Sequence, residues 1–222
     1  MDSLYILPIL LFSIVVHEIA HGWAALRLGD TTARDAGRLT FNPIPHIDPI
    51  GSIAIPLLSF ISAGSVFIAW AKPVPINPAR FRNFHRDDIL VSIAGPFSNL
   101  LMACLCSIFY IFSVRILASI ITAENNFQRE MAIFMIRMFA AGITLNIFLA
   151  VFNLIPVPPL DGSHVLSSLL PEKIGTQFRQ IGFFGILIVI MLMRIASFQH
   201  AVFSIVLTLR IPLDILIGRF IP

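Results

Sequence analysis

Residues 4–28 read LYILPILLFSIVVHEIAHGWAALRL. The stretch carries no charge before His17, and the first charge after its HEIAH segment is Arg27. A helix rises about 1.5 Å per residue, so a segment of this length crosses a hydrocarbon core roughly 30 Å thick. The stretch therefore predicts a membrane-spanning helix with ionisable side chains in its interior.

Within this predicted helix, His17, Glu18 and His21 form an HExxH pattern. Positions i and i+4 lie on the same helix face, so both imidazoles can reach one metal ion, while Glu18 can take a proton from water. A single buried histidine is more often a hydrogen-bonded structural residue than a ligand. Two histidines at this spacing in an uncharged run favour a metal site, because ionisable groups are costly in a bilayer and are usually functional there.

The composition indicates an integral membrane protein. Of the 222 residues, 57% are hydrophobic and 12% are charged, whereas about a quarter of the residues in soluble domains are charged. The formal net charge of +3 suits control of membrane topology and contact with anionic lipid headgroups better than nucleic-acid binding. Cys104 and Cys106 are expected to pack in a spanning segment rather than to form a disulfide or to ligate metal.

The apolar stretches predict an all-α integral membrane protein, a polytopic helical bundle of about five to six membrane segments. Spanning helices are expected at residues 89–114 and 131–155, and a short helix at 162–170. Residues 181–221 are expected to form two more helices that divide near residues 197–200.

A polar segment after the first helix, residues 37–43 (GRLTFNP), predicts a short strand or hairpin that ends at the Asn-Pro pair. We expect it to form a small membrane-associated β element. All of these elements are expected to belong to one domain over residues 1–222, with its core at about 4–170 and C-terminal helices at about 178–221.

The distribution of charge predicts the orientation of the chain. Arginines cluster after the first helix and few charges precede it, so the positive-inside rule places the amino terminus outside and the helix exit in the cytoplasm. The basic loop at residues 72–86 also favours the cytoplasm. Both basic loops can lie on the cytoplasmic side if the proline- and glycine-rich segment 49–71 re-enters the membrane rather than crosses it. The histidine pair then lies towards the cytoplasmic half of the membrane.

A third ligand must come from outside the first helix, because catalytic zinc sites use three protein ligands and leave a fourth position for water. The candidates are Asp161, His164, His46 and Asp48. Asp161 follows a proline cluster and precedes Gly162, so its carboxylate lies where the backbone turns. His46 and Asp48 also fit ordinary loop residues, and His164 fits either a residue that supports Asp161 or a residue on the helix surface.

Three motifs, in this order, resemble the site-2 protease family of intramembrane zinc metalloproteases, peptidase family M50. They are HEIAH at residues 17–21, GPFSN at residues 95–99, and NLIPVPPLDG at residues 153–162. The segment AKPVPINP at residues 71–78 resembles the compact bacterial members that lack PDZ and CBS domains.

The resemblance implies a set of roles for the site residues. His17, His21 and Asp161 would bind one catalytic Zn²⁺, and Glu18 would act as the general base. Asn153 would face the site and steady the substrate carbonyl or the oxyanion, although the residues alone fit equally well a helix-terminal Asn153 that caps loose backbone at the proline break. In the family, a strand in the region after the first helix is thought to pair with the unwound substrate.

These features predict an intramembrane zinc-dependent endopeptidase that cleaves the transmembrane segments of membrane proteins by means of activated water. We expect a multi-pass protein of the cell membrane, the plasma membrane of a bacterium, in contact with the lipid bilayer and with transmembrane substrates. The alternative is a non-proteolytic membrane metal-binding or transport protein, but the later helices offer few polar residues to line a path, mainly Arg194, His200 and Arg210. The sequence indicates neither the substrate nor the oligomeric state.

Overall fold

The computed structural model describes residues 5–54, 71–120 and 126–221, and the regular secondary structure in these ranges is helical. Short 3₁₀ turns lie at Ile44–His46, Pro78–Arg80 and Gly182–Phe184, and a π-helical turn lies at Pro49–Ala54. The α-helices of the described ranges are, in chain order, α1 (Ile6–Arg27), α2 (Thr32–Asp35), α3 (Phe84–Ile120), α4 (Asn126–Asn153), α5 (Asp161–Leu169), α6 (Glu172–Gln180), α7 (Gly185–Leu192) and α8 (Ala196–Phe220).

Four described helices are long and apolar enough to cross a membrane: α1, α3, α4 and α8. The pair α6 and α7 meets the same criterion only as one segment bent by 80°. The described residues therefore hold four spans, or five if the bent pair counts as one, whereas about five to six were expected for the chain. α7 alone has 8 residues and is only about 12 Å long, too short to cross. The break before α8 lies at residues 193–195, slightly earlier than expected. Residues 55–70, which hold most of the segment expected to re-enter, lie outside the described residues.

The expected β element after the first helix is wrong, because residues 37–43 form no strand in the described structure. Gly37 instead ends α2 in the left-handed region, with φ +64°. Its N–H donates to the carbonyl of Arg34, and the N–H of Arg38 donates to the carbonyl of Ala33. These are the two hydrogen bonds of a Schellman motif. The glycine at the start of the expected strand is therefore a helix stop, and a turn follows it.

The spanning helices share one apolar core. Ile9 of α1, Cys106 of α3 and Val206 of α8 pack with Ile143 and Ile147 of α4, and all five are buried. Many large apolar side chains on the outer faces of α3 and α8 are exposed, as expected for helices that contact lipid instead of water. This core fixes α1, α3 and α4 side by side and so determines which polar residues meet.

A segment without regular secondary structure, residues 72–77, lies against the second half of α1, and we call it the strap. Near its start, Nη2 of Arg38 donates to the carbonyl of Lys72 at 2.7 Å. At its other end, the N–H of Asn77 donates to the buried Asp30 carboxylate at 2.6 Å. The strap is therefore held at both ends.

Candidate metal centre

Three metal-binding side chains converge where α1 meets the start of α5. His17 and His21 lie on one face of α1, and Asp161 is the first residue of α5. The two histidine Nε2 atoms are 3.0 Å apart. Asp161 Oδ2 lies 3.2 Å from Nε2 of His17, and Asp161 Oδ1 lies 3.3 Å from Nε2 of His21. Among the described residues, these three form the group whose ligand atoms all lie within 4.8 Å of one another.

The ring of His17 is oriented by a chain of two buried asparagines. Nδ1 of His17 lies 2.6 Å from Oδ1 of Asn99 on α3. Nδ2 of Asn99 donates to Oδ1 of Asn146 on α4 at 3.0 Å, and Nδ2 of Asn146 donates to the carbonyl of Gly142 at 2.9 Å. Because a backbone carbonyl can only accept, the carbonyl of Gly142 fixes the orientation of the Asn146 amide, which in turn fixes the orientation of the Asn99 amide. The two asparagines therefore place the proton of His17 on Nδ1 and leave the lone pair of Nε2 directed towards Asp161.

The ring of His21 is oriented in the same way by the backbone of α3. Its Nδ1 lies 2.7 Å from the carbonyl of Val91, which again fixes the proton on Nδ1. α3 can come this close because of Gly95: a Cβ at that position would lie 2.3 Å from His21 Nε2 and 2.6 Å from His17 Cε1. Any larger residue would collide with the imidazoles, which explains why the GPFSN motif begins with glycine.

The donor set fits a zinc ion. With both histidine protons on Nδ1, two Nε2 lone pairs and a carboxylate face one point, an arrangement that a cation would stabilise. Oδ2 of Asp161 is buried and accepts no hydrogen bond, although Nε2 of His17 is 3.2 Å away. Zinc binds nitrogen and oxygen at about 2.0–2.2 Å, so tetrahedral ligands lie about 3.3 Å apart. The separations of 3.0, 3.2 and 3.3 Å are close to that value.

A buried acidic residue on α3 anchors the helix that carries Asp161. Asp88 is 5% exposed and accepts hydrogen bonds from Ser168 Oγ of α5 at 2.7 Å and from Arg179 Nη1 of α6 at 3.2 Å. Oδ1 of Asp88 also lies 3.6 Å from Nδ1 of His164 on α5. Asp88 is one helical turn before the carbonyl that orients His21. The same part of α3 therefore places both α5 and the ring of His21.

The two predicted catalytic residues, Glu18 and Asn153, hydrogen-bond to backbone groups outside the three converging side chains. Glu18 is adjacent to His17, is partly buried, and accepts the N–H of Val74 of the strap on Oε2 at 2.8 Å. Nδ2 of Asn153, the last residue of α4, donates to the carbonyl of Leu149 at 3.0 Å. No hydrogen bond or ion pair in the described part of the chain joins Asn153 to the three converging side chains.

The other candidates for the third ligand contact groups outside the histidine pair. Nε2 of the buried His46 lies 3.1 Å from the carbonyl of Thr40. Oδ1 of Asp48 accepts two backbone N–H groups at the start of the π-helical turn. His164 faces Asp88, as described above. Only Asp161 joins the histidine pair within the described structure.

Sequence reasoning missed the residues that orient the histidines. The GPFSN motif includes Asn99 without indicating its role, and Asn146 belongs to none of the three motifs. Both are fully buried at 0% exposure. A signal was present, because an asparagine amide inside an apolar spanning helix needs a hydrogen-bond partner in the protein.

Comparison with known proteins agrees with these features. Residues 82–193 match the family described as Peptidase family M50. The chain is 35% identical over 192 residues to "Putative zinc metalloprotease YwhC" of Bacillus subtilis (strain 168), and the match covers 85% of this chain and 79% of that protein.

Two mycobacterial relatives carry the same description under the name Rip2. The protein from Mycolicibacterium smegmatis is 28% identical over 196 residues, which is 88% of this chain and 69% of the relative. The protein from Mycobacterium tuberculosis (strain H37Rv) is 32% identical over 167 residues, which is 73% of this chain and 56% of the relative. No solved structure matches the chain.

Proposed function

Because the chain belongs to peptidase family M50, the site-2 protease family, we propose that it cleaves transmembrane segments of membrane proteins inside the bilayer. Its class is that of a zinc-dependent metalloendopeptidase. The observation that carries the proposal is the convergence of His17, His21 and Asp161 within the span of an apolar helix.

The depth of the site supports an intramembrane substrate. His17 lies eleven residues after the start of the 22-residue helix α1, or about 16 Å along its axis. That distance is close to half of a hydrocarbon core roughly 30 Å thick. This depth supports a substrate whose cleaved peptide bond belongs to a segment that is itself within the membrane.

In this proposal, His17, His21 and Asp161 hold one Zn²⁺, which when bound acidifies water and polarises a peptide carbonyl. Glu18 accepts the proton of the attacking water and returns it to the leaving amine. Because Glu18 follows His17 directly on α1, its carboxylate is carried by the same helix as two of the metal ligands.

We assign Asn153 to the substrate carbonyl and to the oxyanion that forms on it. Asn153 ends α4 eight residues before Asp161, at the proline-broken connection to α5. Its amide donates to Leu149 in the free protein. The side-chain amide of Asn153 can give up this hydrogen bond to the Leu149 carbonyl and donate to a substrate oxygen instead. Hydrogen-bond donors contribute to catalysis when they face developing negative charge.

The substrate helix must also unwind, because its own hydrogen bonds protect each peptide bond in lipid. We therefore expect substrates that carry helix-breaking residues at the level of the site. The protein is a multi-pass membrane protein. We further propose that the chain forms a single domain and that it lies in the cell membrane. Its site would face the cytoplasmic half of that membrane.

The test is a Glu18→Gln variant assayed beside the wild type on a membrane protein with a single span. Glutamine keeps the size of the side chain and cannot accept the water proton as a base. We expect the variant to retain zinc and to lose cleavage by about 100- to 10,000-fold. Mass spectrometry of the wild-type products should place the cut inside the apolar segment of the substrate.

Two results would contradict the proposal. Undiminished cleavage by Glu18→Gln would remove Glu18 from the mechanism. Wild-type cuts confined to soluble flanks of the substrate would leave a metalloprotease but would exclude cleavage within the bilayer.

A further inference from the structure

One backbone amide of the strap contacts Glu18. The N–H of Val74 donates to Glu18 Oε2 at 2.8 Å, and Val74 is 5% exposed. In the described part of the structure, Glu18 makes no other hydrogen bond or ion pair. Its second oxygen, Oε1, is therefore left for a different partner.

Val74 is placed on α1 by packing that does not involve Glu18. Gly22 lies one helical turn after Glu18 and on the same face. A Cβ at Gly22 would lie 3.0 Å from Val74 Cγ1 and 2.6 Å from Leu39 Cδ2. The strap can therefore approach the backbone of α1 because this position has no side chain, and that approach brings the Val74 amide to Glu18.

The rest of the strap is also fixed independently of Glu18. The N–H of Lys72 donates to the carbonyl of His46 at 2.9 Å, and the far end is tied to Asp30 through Asn77. Val74 stands between two prolines, at residues 73 and 75, which have no N–H and which favour extended backbone around them. Val74 therefore supplies the single N–H of residues 73–75.

We propose that the strap positions the catalytic carboxylate: the Val74 amide holds Oε2 of Glu18 so that Oε1 is free to accept the proton of the attacking water. The inference rests on the proposed function, because it assumes that Glu18 is the base. A general base is more effective when a rigid support holds it in one orientation, because its side chain then loses less conformational entropy on reaching the transition state. Val74 is thus a positioning residue that acts through Glu18.

The test compares Val74→Pro, which removes the N–H, with Val74→Ala, which keeps it and shortens the side chain. Proline suits a position between two prolines, because the flanking prolines favour extended backbone there. We expect Val74→Pro to retain zinc, to keep the KM of the wild type within about twofold, and to lose kcat by about 10- to 100-fold. Val74→Ala should keep kcat within about threefold of the wild type.

Two kinetic outcomes would overturn the proposal. Equal kcat values for Val74→Pro and Val74→Ala would show that the amide is not used. Loss of zinc from Val74→Pro but not from Val74→Ala would show that the strap supports the metal ligands rather than the base.

A measurement that needs no activity tests the contact itself and decides the matter if Val74→Pro does not fold. In protein labelled with ¹⁵N-valine, the Val74 amide resonance, assigned by its absence from Val74→Ala, should exchange slowly with solvent. Glu18→Gln keeps a side-chain acceptor and should preserve this protection, whereas Glu18→Ala should reduce it at least about tenfold. Equal exchange rates in the wild type and in Glu18→Ala would overturn the proposal.

The two proposals fail in different ways. An inactive wild type that binds zinc would contradict the proposed function, while the exchange measurement would still report whether the amide holds Glu18. An active wild type with an active Val74→Pro variant would contradict the role of the strap and leave the proposed function standing.

Discussion

At the scale of single residues, the site depends on which atoms of each side chain are already engaged. The Nδ1 atoms of His17 and His21 face Asn99 and the Val91 carbonyl, so both Nε2 lone pairs point inward. Asp161 supplies the negative charge opposite them. The metal-binding form of the site is therefore selected by groups that would never touch the metal.

This arrangement predicts different effects for two residues on α5. Asp161→Ala should weaken zinc binding by more than about a hundredfold, because it removes a converging ligand and leaves two histidines. His164→Ala should weaken it by less than about tenfold, because His164 faces Asp88 instead. Zinc content after dialysis against a chelator of graded strength measures both. A larger loss in His164→Ala would show that the third ligand is misassigned.

At the scale of secondary-structure elements, α3 organises the site and the strap completes it. α3 brings Gly95 against the imidazoles, orients both rings, and holds α5 through Asp88. The strap contacts α1 at Glu18 and Gly22 and is anchored by Asp30, which also accepts hydrogen bonds from the N–H and Oγ1 of Thr32. The site therefore has two supports with separate anchors.

The anchor at Asp30 predicts a pH-dependent contribution to stability. Burial acts to raise the pKa of Asp30, but the hydrogen bonds from Thr32 and Asn77 and the charge of Arg80 outweigh it, so the pKa lies below the ordinary 3.8. The stabilisation of the folded state by ionised Asp30 is therefore complete above pH 3.8. It is lost as the pH falls through the lower pKa that Asp30 has in the folded state.

Asp30→Asn should accordingly lower the free energy of unfolding by about 1–3 kcal/mol at pH 7. The difference from the wild type should shrink below about pH 4. Thermal unfolding of both proteins in detergent across this pH range measures the effect. A difference that is the same at pH 3 and pH 7 would mean that the charge of Asp30 does not stabilise the strap.

At the scale of the whole molecule, the zinc site would join two parts of the chain that are far apart in sequence. α1 supplies two ligands and α5 supplies the third, and each helix packs on α3. A ligand that binds only the folded state stabilises it by an amount that grows with its concentration, about 2.7 kcal/mol at one hundred times Kd.

Metal removal should therefore destabilise the wild type. We expect a chelator to lower the midpoint of thermal unfolding by about 5–10 °C relative to protein in excess zinc. Asp161→Ala should show a much smaller difference between the two conditions, because its site is incomplete. Equal shifts in the wild type and the variant would mean that zinc stabilises the protein somewhere other than at this centre.

Several features followed from the sequence itself. The HEIAH segment in an apolar run, the long uncharged stretches and the Asp161-Gly162 pair are local patterns, and helix periodicity is enough to place His17 beside His21. The spans α3 and α4, the helix α8 and the short helix α5 follow from the same kind of local pattern. Local patterning failed at Gly37, where a glycine suited both a loose strand and a helix stop, and the hydrogen bonds to the preceding turn decided between them.

Only the tertiary structure decided which distant groups meet. Whether Asp161, His164, His46 or Asp48 joins the histidines depends on how α5 packs on α3, and no spacing along the chain encodes that packing. The same holds for Asn146, which reaches His17 through Asn99 on another helix, and for the backbone amide of Val74. Backbone groups are present at every residue, so the sequence does not distinguish the one that contacts Glu18 until packing has brought it there.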